Sequence, residues 1–157
     1  MLLIGAGQAH AVDCSVPGDE ATIQDALDNA TCDTVIVGAG TFNESLDLPD
    51  RDVTIRGQGI DTTIVDSDGI DDVVRDSSTN VQTFVLEDLT LTDGGDGVSV
   101  GAGANGDTMT LRRVKVTANA GRGAEASGAT LNVFDSQISN NTTTLGGAGS
   151  AASTARS

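Results

Sequence analysis

Asp88, Arg113 and Asp135 are the positions whose types and spacing could do chemistry, because an internal repeat puts them in register. The repeat aligns Phe84-Val-Leu-Glu-Asp-Leu-Thr-Leu-Thr92 with Met109-Thr-Leu-Arg-Arg-Val-Lys-Val-Thr117 and Leu131-Asn-Val-Phe-Asp-Ser-Gln-Ile-Ser139. Its copies start 25 and then 22 residues apart, a spacing found in solenoid repeats. Stacked, the copies put Asp88, Arg113 and Asp135 in one column and Glu87, Arg112 and Phe134 in the next. Charges that alternate from copy to copy read first as a ladder that sets strand register, each exposed pair contributing about 0 to 1 kcal/mol. The same column is the candidate catalytic cluster.

A second acidic group, Asp66, Asp68, Asp71 and Asp72, offers hard oxygen ligands for calcium within one short loop. It lacks the closing Glu of the twelve-residue EF-hand pattern. The glycine-rich loop from Gly101 to Asp107 contains one imperfect copy of the glycine and aspartate nonapeptide that binds calcium in β-rolls. Calcium therefore stays open as a ligand, and no cofactor is assigned. Cys14 and Cys32 are the only cysteines. In an exported chain two cysteines most simply form one disulfide, worth about 3 kcal/mol for a loop of this size in the chain-entropy model. A redox pair or half a zinc site are the alternatives, and no further thiolate or imidazole supports the latter. His10 is the only histidine and leaves with any cleaved leader. Ser15, Ser45 and Ser136 then have no histidine to act as their base, which argues against a serine triad.

The elements that must position these residues are short strands. Within each copy the inward set jumps by three, from Leu86 to Leu89, Leu111 to Val114 and Val133 to Ser136. A flat strand keeps a period of two, so the jump marks two strand segments joined by a bend. Phe84, Met109 and Leu131 form one interior column, and Leu91, Val116 and Ile138 another. The result is a parallel coil with rungs about 4.8 Å apart, each burying its apolar face against its neighbours. Val53-Thr-Ile-Arg-Gly-Gln-Gly-Ile60 is a looser earlier copy. Upstream, Ile23, Ala26, Leu27 and Ala30 fall on one helical face after Thr22, a candidate N-cap. That helix, within a cap spanning 20–31, covers the open end of the sheet. Asn119 aligns with Asn141, and stacked asparagines at turns hydrogen-bond to one another and to the backbone.

This succession, from TIQDALDNATCDTVIVGAGTFNESLDL through VTIRGQGIDTTIVD to LTLTDGG, resembles the amino-terminal part of secreted bacterial right-handed parallel β-helix proteins of pectin-lyase-like architecture. The resemblance implies an all-β solenoid over 12–143 with a short amino-terminal capping helix. It implies little about activity, since that architecture carries lyases, hydrolases, epimerases and adhesins. Asp88, Arg113 and Asp135 resemble a polysaccharide-lyase site in residue type, where carboxylates hold a cation and an arginine serves as base or charge stabiliser. No fuller lyase motif is present.

The chain has 157 residues and a formal charge of −15. Such a surface repels nucleic acid and anionic membranes, and it disfavours anionic polysaccharides unless cations bridge them. Without Trp or Tyr, and with only Phe42, Phe84 and Phe134, few flat rings are on offer for stacking on sugars. Residues 1–11 end in Ala9-His10-Ala11, the small-residue pattern of a secretory cleavage site, and their apolar run is too short to span a membrane. Residues 144–157 are rich in Gly, Ala and Ser and read as a tail with no further strand or as an incomplete coil. The resulting expectation is a secreted or cell-surface, non-catalytic scaffold or adhesin-type segment. It would be monomeric or part of a longer chain, with polysaccharide or other surface proteins as partners. The alternative is a lyase or hydrolase acting on acidic polysaccharide.

Overall fold

The computed structural model describes residues 11–101, 106–146 and 151–154. The expected leader, with His10, lies almost wholly outside them, as does the middle of the Gly101–Asp107 loop.

Each β-branched run in the sequence becomes one side of a coil. β1 (Asp13–Val16) precedes the helix α1 (Ile23–Asp28). The first turn then comprises β2 (Thr34–Val37), β3 (Gly40–Asn43) and β4 (Leu46–Leu48), and the second β5 (Val53–Arg56), β6 (Thr63–Asp66) and β7 (Val74–Asp76). The third is β8 (Thr83–Thr92) with β9 (Val98–Val100), and the fourth β10 (Thr108–Thr117) with β11 (Arg122–Ala126). The fifth holds β12 (Thr130–Phe134), β13 (Gln137–Ser139) and β14 (Thr143–Gly146), and β15 (Ala151–Thr154) follows.

Every strand pairing among the described residues is parallel. One side runs β1-β2-β5-β8-β10-β12-β15, and β3, β6 and β13 continue it around a bend through the second halves of β8 and β10. The other side is a five-stranded sheet, β4-β7-β9-β11-β14. The chain is thus a parallel β-solenoid, a β-helix, of about five turns. Where the glycine-rich sequence shows no strand pattern after Thr142, β14 and β15 nonetheless extend the two sheets. Ladder bonding uses backbone N–H and C=O groups, which any residue but proline supplies in full.

The interior columns lie as the repeats place them. Val53, Phe84, Met109 and Leu131 are in register, as are Phe42, Val65, Leu91, Val116 and Ile138. All are buried except Phe42 and Ile138, which pack against the core while partly exposed. Burying a side chain of this size stabilises by about 1.5 to 3 kcal/mol, and removing one leaves two neighbouring turns in contact with a void. In the looser copy the second strand is Thr63–Asp66, and Ile60 is exposed in the connection. There Gly57 sits against the following turn: a Cβ on it would stand 2.3 Å from the Asp88 carbonyl oxygen.

The helix covers the first turn. Thr22 caps it, its hydroxyl accepting from the Asp25 amide at 3.0 Å. Ile23, Ala26 and Leu27 are buried, but the helix ends at Asp28 and Ala30 is exposed. Glu44, preceding β4, completes the cap: its two carboxylate oxygens accept from the Ile23 and Gln24 amides at 3.0 and 2.9 Å. At the other end Arg51 donates to the Leu27 and Asn29 carbonyls at 2.7 and 2.9 Å. An anion at the amino end and a cation at the carboxyl end both suit the helix dipole. Cys14 in β1 is bonded to Cys32, both buried with Cα atoms 5.6 Å apart, tying the incoming strand to the start of β2.

Candidate functional site

The bend that the three-residue jump implies is a single residue in left-handed backbone conformation. Asp88, Arg113 and Asp135 have φ of 56°, 51° and 49°, a region that costs a non-glycine residue about 1 to 2 kcal/mol. Their side chains consequently leave the strand and stack along the outside of the corner. A second stack of the same conformation, Asp93, Ala118 and Asn140, turns the chain after β8, β10 and β13.

At the first corner Arg113 forks onto Asp88, Nε to Oδ1 at 2.6 Å and Nη2 to Oδ2 at 2.9 Å. The hydrogen bonds from Arg113, with the Arg113 and Arg56 charges behind them, hold the Asp88 carboxyl below its ordinary value against the opposing effect of burial. Bonding and charge from Asp88 raise the Arg113 guanidinium in turn. Asp135, one turn further on, reaches Arg113 only through its field and makes no ion pair among the described residues. The structure thus joins two of the three candidates. A guanidinium held in its cationic form by a bidentate carboxylate is a poor base, and neither oxygen of that carboxylate is left uncommitted.

The adjacent column is longer than the repeats suggest. Arg56, Glu87, Arg112 and Phe134 are in register on successive turns. Glu87, its side chain only 15% exposed, receives Arg56 at 2.9 Å and Arg112 at 3.7 Å, and the Arg112 guanidinium lies 4.9 Å over the Phe134 ring. Arg56 holds the place in the looser copy that Glu87 holds in the next, so the signal for it was present in the alignment. Arg75, which binds Asp47 at 2.8 Å and Asp71 at 3.2 Å, belongs to no repeat copy and had no such signal.

Three of the four candidate calcium ligands accept hydrogen bonds in turns, and Asp68 contributes its backbone amide. Asp66 accepts from the Asp68 amide, Asp71 from the Asp72 amide and from Arg75, and Asp72 from the Asp96 amide. Among the described residues no three His, Cys, Asp or Glu side chains converge as a metal would require. Ser15 bonds to Asp19, and the Ser136 hydroxyl spans the Val114 amide and the Phe134 carbonyl. Asn119 and Asn141 do stack: Asn141 Oδ1 accepts from the Asn119 backbone and side-chain amides, and Asn119 Oδ1 accepts from Gly94 at 2.8 Å.

The fold and this corner define a β-solenoid with interlocked surface charge. Comparison with protein-family models, curated proteins and solved structures finds no match. Among the described residues no helix is long and apolar enough to cross a membrane.

Proposed function

We propose that this chain is a secreted or cell-surface β-helix scaffold of adhesin type, without catalytic activity, whose partners are surface proteins or polysaccharides bound along its length. The observation that carries this reading is the bidentate Arg113–Asp88 pair. The residues best suited by type to polysaccharide chemistry are spent on each other, as in a register-setting ladder. The Cys14–Cys32 bond suits an oxidising compartment, and coil, cap and disulfide together make a rigid rod that can present a repetitive face.

Arg113→Ala tests the reading when the folded variant and the parent are both offered acidic polysaccharides and assayed for cleavage and for retention on immobilised polymer. A scaffold gives no cleavage by either protein, and the variant is only slightly less stable. Turnover by the parent that vanishes in a folded variant would establish a lyase or hydrolase in its place.

A further inference from the structure

The corner where the five-stranded sheet hands the chain back to the longer one is lined by acids rather than by a ladder of opposite charges. Asp76 closes β7, its Oδ1 accepting from the Ser78 amide at 2.9 Å and its Oδ2 from the Gly101 amide at 3.2 Å. Asp107 stands one turn later, just ahead of β10, and its Oδ1 accepts from the Gln82 amide at 2.8 Å. Both residues have 0% exposure. Asp107 Oδ2 is buried without any N–H or hydroxyl partner, and the Asp76 carboxyl faces Asp107 closely enough to raise it through its charge and through carboxyl–carboxyl contact. None of the described arginines pairs with either acid. Among the described residues the one other charged group that faces Asp107, Asp50, is also negative. Its carboxylate is occupied by Thr79, Asn80 and Gln82.

Two ionised carboxylates in contact within a dry corner repel, and an unpaired buried oxygen adds its own desolvation cost. A proton on one oxygen removes both penalties, turning Oδ2 into one end of a carboxyl–carboxylate hydrogen bond. A divalent cation would need further oxygen ligands; among the described residues no three acids converge as a metal would require, and the Asp50 carboxylate is already taken up by its own partners. We propose that Asp76 and Asp107 share one proton in the folded chain, forming an acid-favoured latch between the second-to-third and third-to-fourth turn connections. Burial, followed by the nearby Asp76 charge, raises the Asp107 carboxyl, while the Gln82 amide opposes it. A raised folded value means that the folded chain holds a proton the unfolded chain has released. The stabilisation is therefore complete below the ordinary carboxyl value and declines as pH rises through the folded one. The coil should hold most firmly in weakly acidic surroundings.

The test is thermal unfolding of the full chain from about pH 4 to about pH 8, starting near the ordinary carboxyl value, for the parent and Asp107→Asn. The asparagine can keep its oxygen on the Gln82 amide and direct an N–H at Asp76 without a shared proton. The expected result is a melting temperature that falls with rising pH in the parent and a flattened profile in the variant. Carbon-13 NMR of the parent's aspartate carboxyls checks the latch even if the variant fails to fold, because a shared proton leaves one buried carboxyl protonated above the range of the exposed ones. The proposal is overturned if both carboxyls titrate with the exposed ones. It is also overturned if calcium at neutral pH stabilises the parent but not the variant, since a cation would then occupy the pair.

Discussion

The side-chain amide of Gln24 lies against Asp47 as a neighbouring strand would, donating to its carbonyl at 3.2 Å and accepting from its amide at 2.9 Å. β4 is the last strand of its sheet, so these backbone groups would otherwise form an open edge. A glutamine on the helix thus closes with one side chain what a further strand would close with its backbone. Gln24→Ala is expected to lower stability by about 1 kcal/mol, read as a lower urea midpoint with an unchanged slope. An unchanged midpoint would mean that water satisfies the edge equally well.

Glu44→Gln tests the other half of the cap. It keeps one acceptor for the two amides of α1 but removes the charge that suits the helix dipole, at a cost of about 0.5 to 1 kcal/mol. The loss should shrink in high salt, which separates it from a packing defect.

For the Asp88–Arg113 pair a double-mutant cycle with Asp88→Asn and Arg113→Ala should give a coupling of about 1 kcal/mol or less, since both groups are partly exposed. Asp88 has a lowered folded pKa. Its contribution is therefore present above the ordinary carboxyl value and disappears as pH falls through the folded one. This is the opposite sense to the Asp76–Asp107 latch, so acidification first strengthens one contact and later dissolves the other.

The corner conformation makes its own prediction. Asp135 has φ of 49° and no ion pair among the described residues. Asp135→Val should cost about 1 to 2 kcal/mol, because a β-branched residue resists that backbone region. Asp135→Gly should be close to neutral, since the relief of strain offsets the added freedom of the unfolded chain. Equal effects in thermal denaturation would refute the conformational account.

Asn119 is 2% exposed and holds the Gly94 amide. Asn119→Ala strands that buried donor and should cost about 1 to 3 kcal/mol. Asn141→Ala, at a half-buried position, should cost less, and hydrogen exchange at Gly94 should rise in the first variant only.

How much of this was legible in the sequence depends on how periodic each part is. Phe84, Met109 and Leu131 could be stacked because the copies carrying them are in step, and the asparagine pair was legible for the same reason. Arg56 was legible too, in the part of the looser copy that keeps step, whereas the second strand of that copy was obscured because the chain adds a connection between Gly57 and Thr63. Asp76 and Asp107 lie in the aperiodic corners, 31 residues apart, where only the closed coil brings them together. Glu44 was missed as a cap because it acts from 21 residues downstream of Ile23, whereas a capping box looks three residues ahead.

The alternation of charge at the bend also determines how such a coil can be lengthened. Duplicating residues 108–129 alone would insert one rung and set Arg112 on Arg112 and Arg113 on Arg113, like charges with no carboxylate between them. Duplicating 83–129 would insert two rungs and restore Glu87 and Asp88 between the arginine layers. Parity, not length alone, decides which extensions the surface tolerates, and the natural unit of growth is a pair of turns adding about 10 Å to the rod.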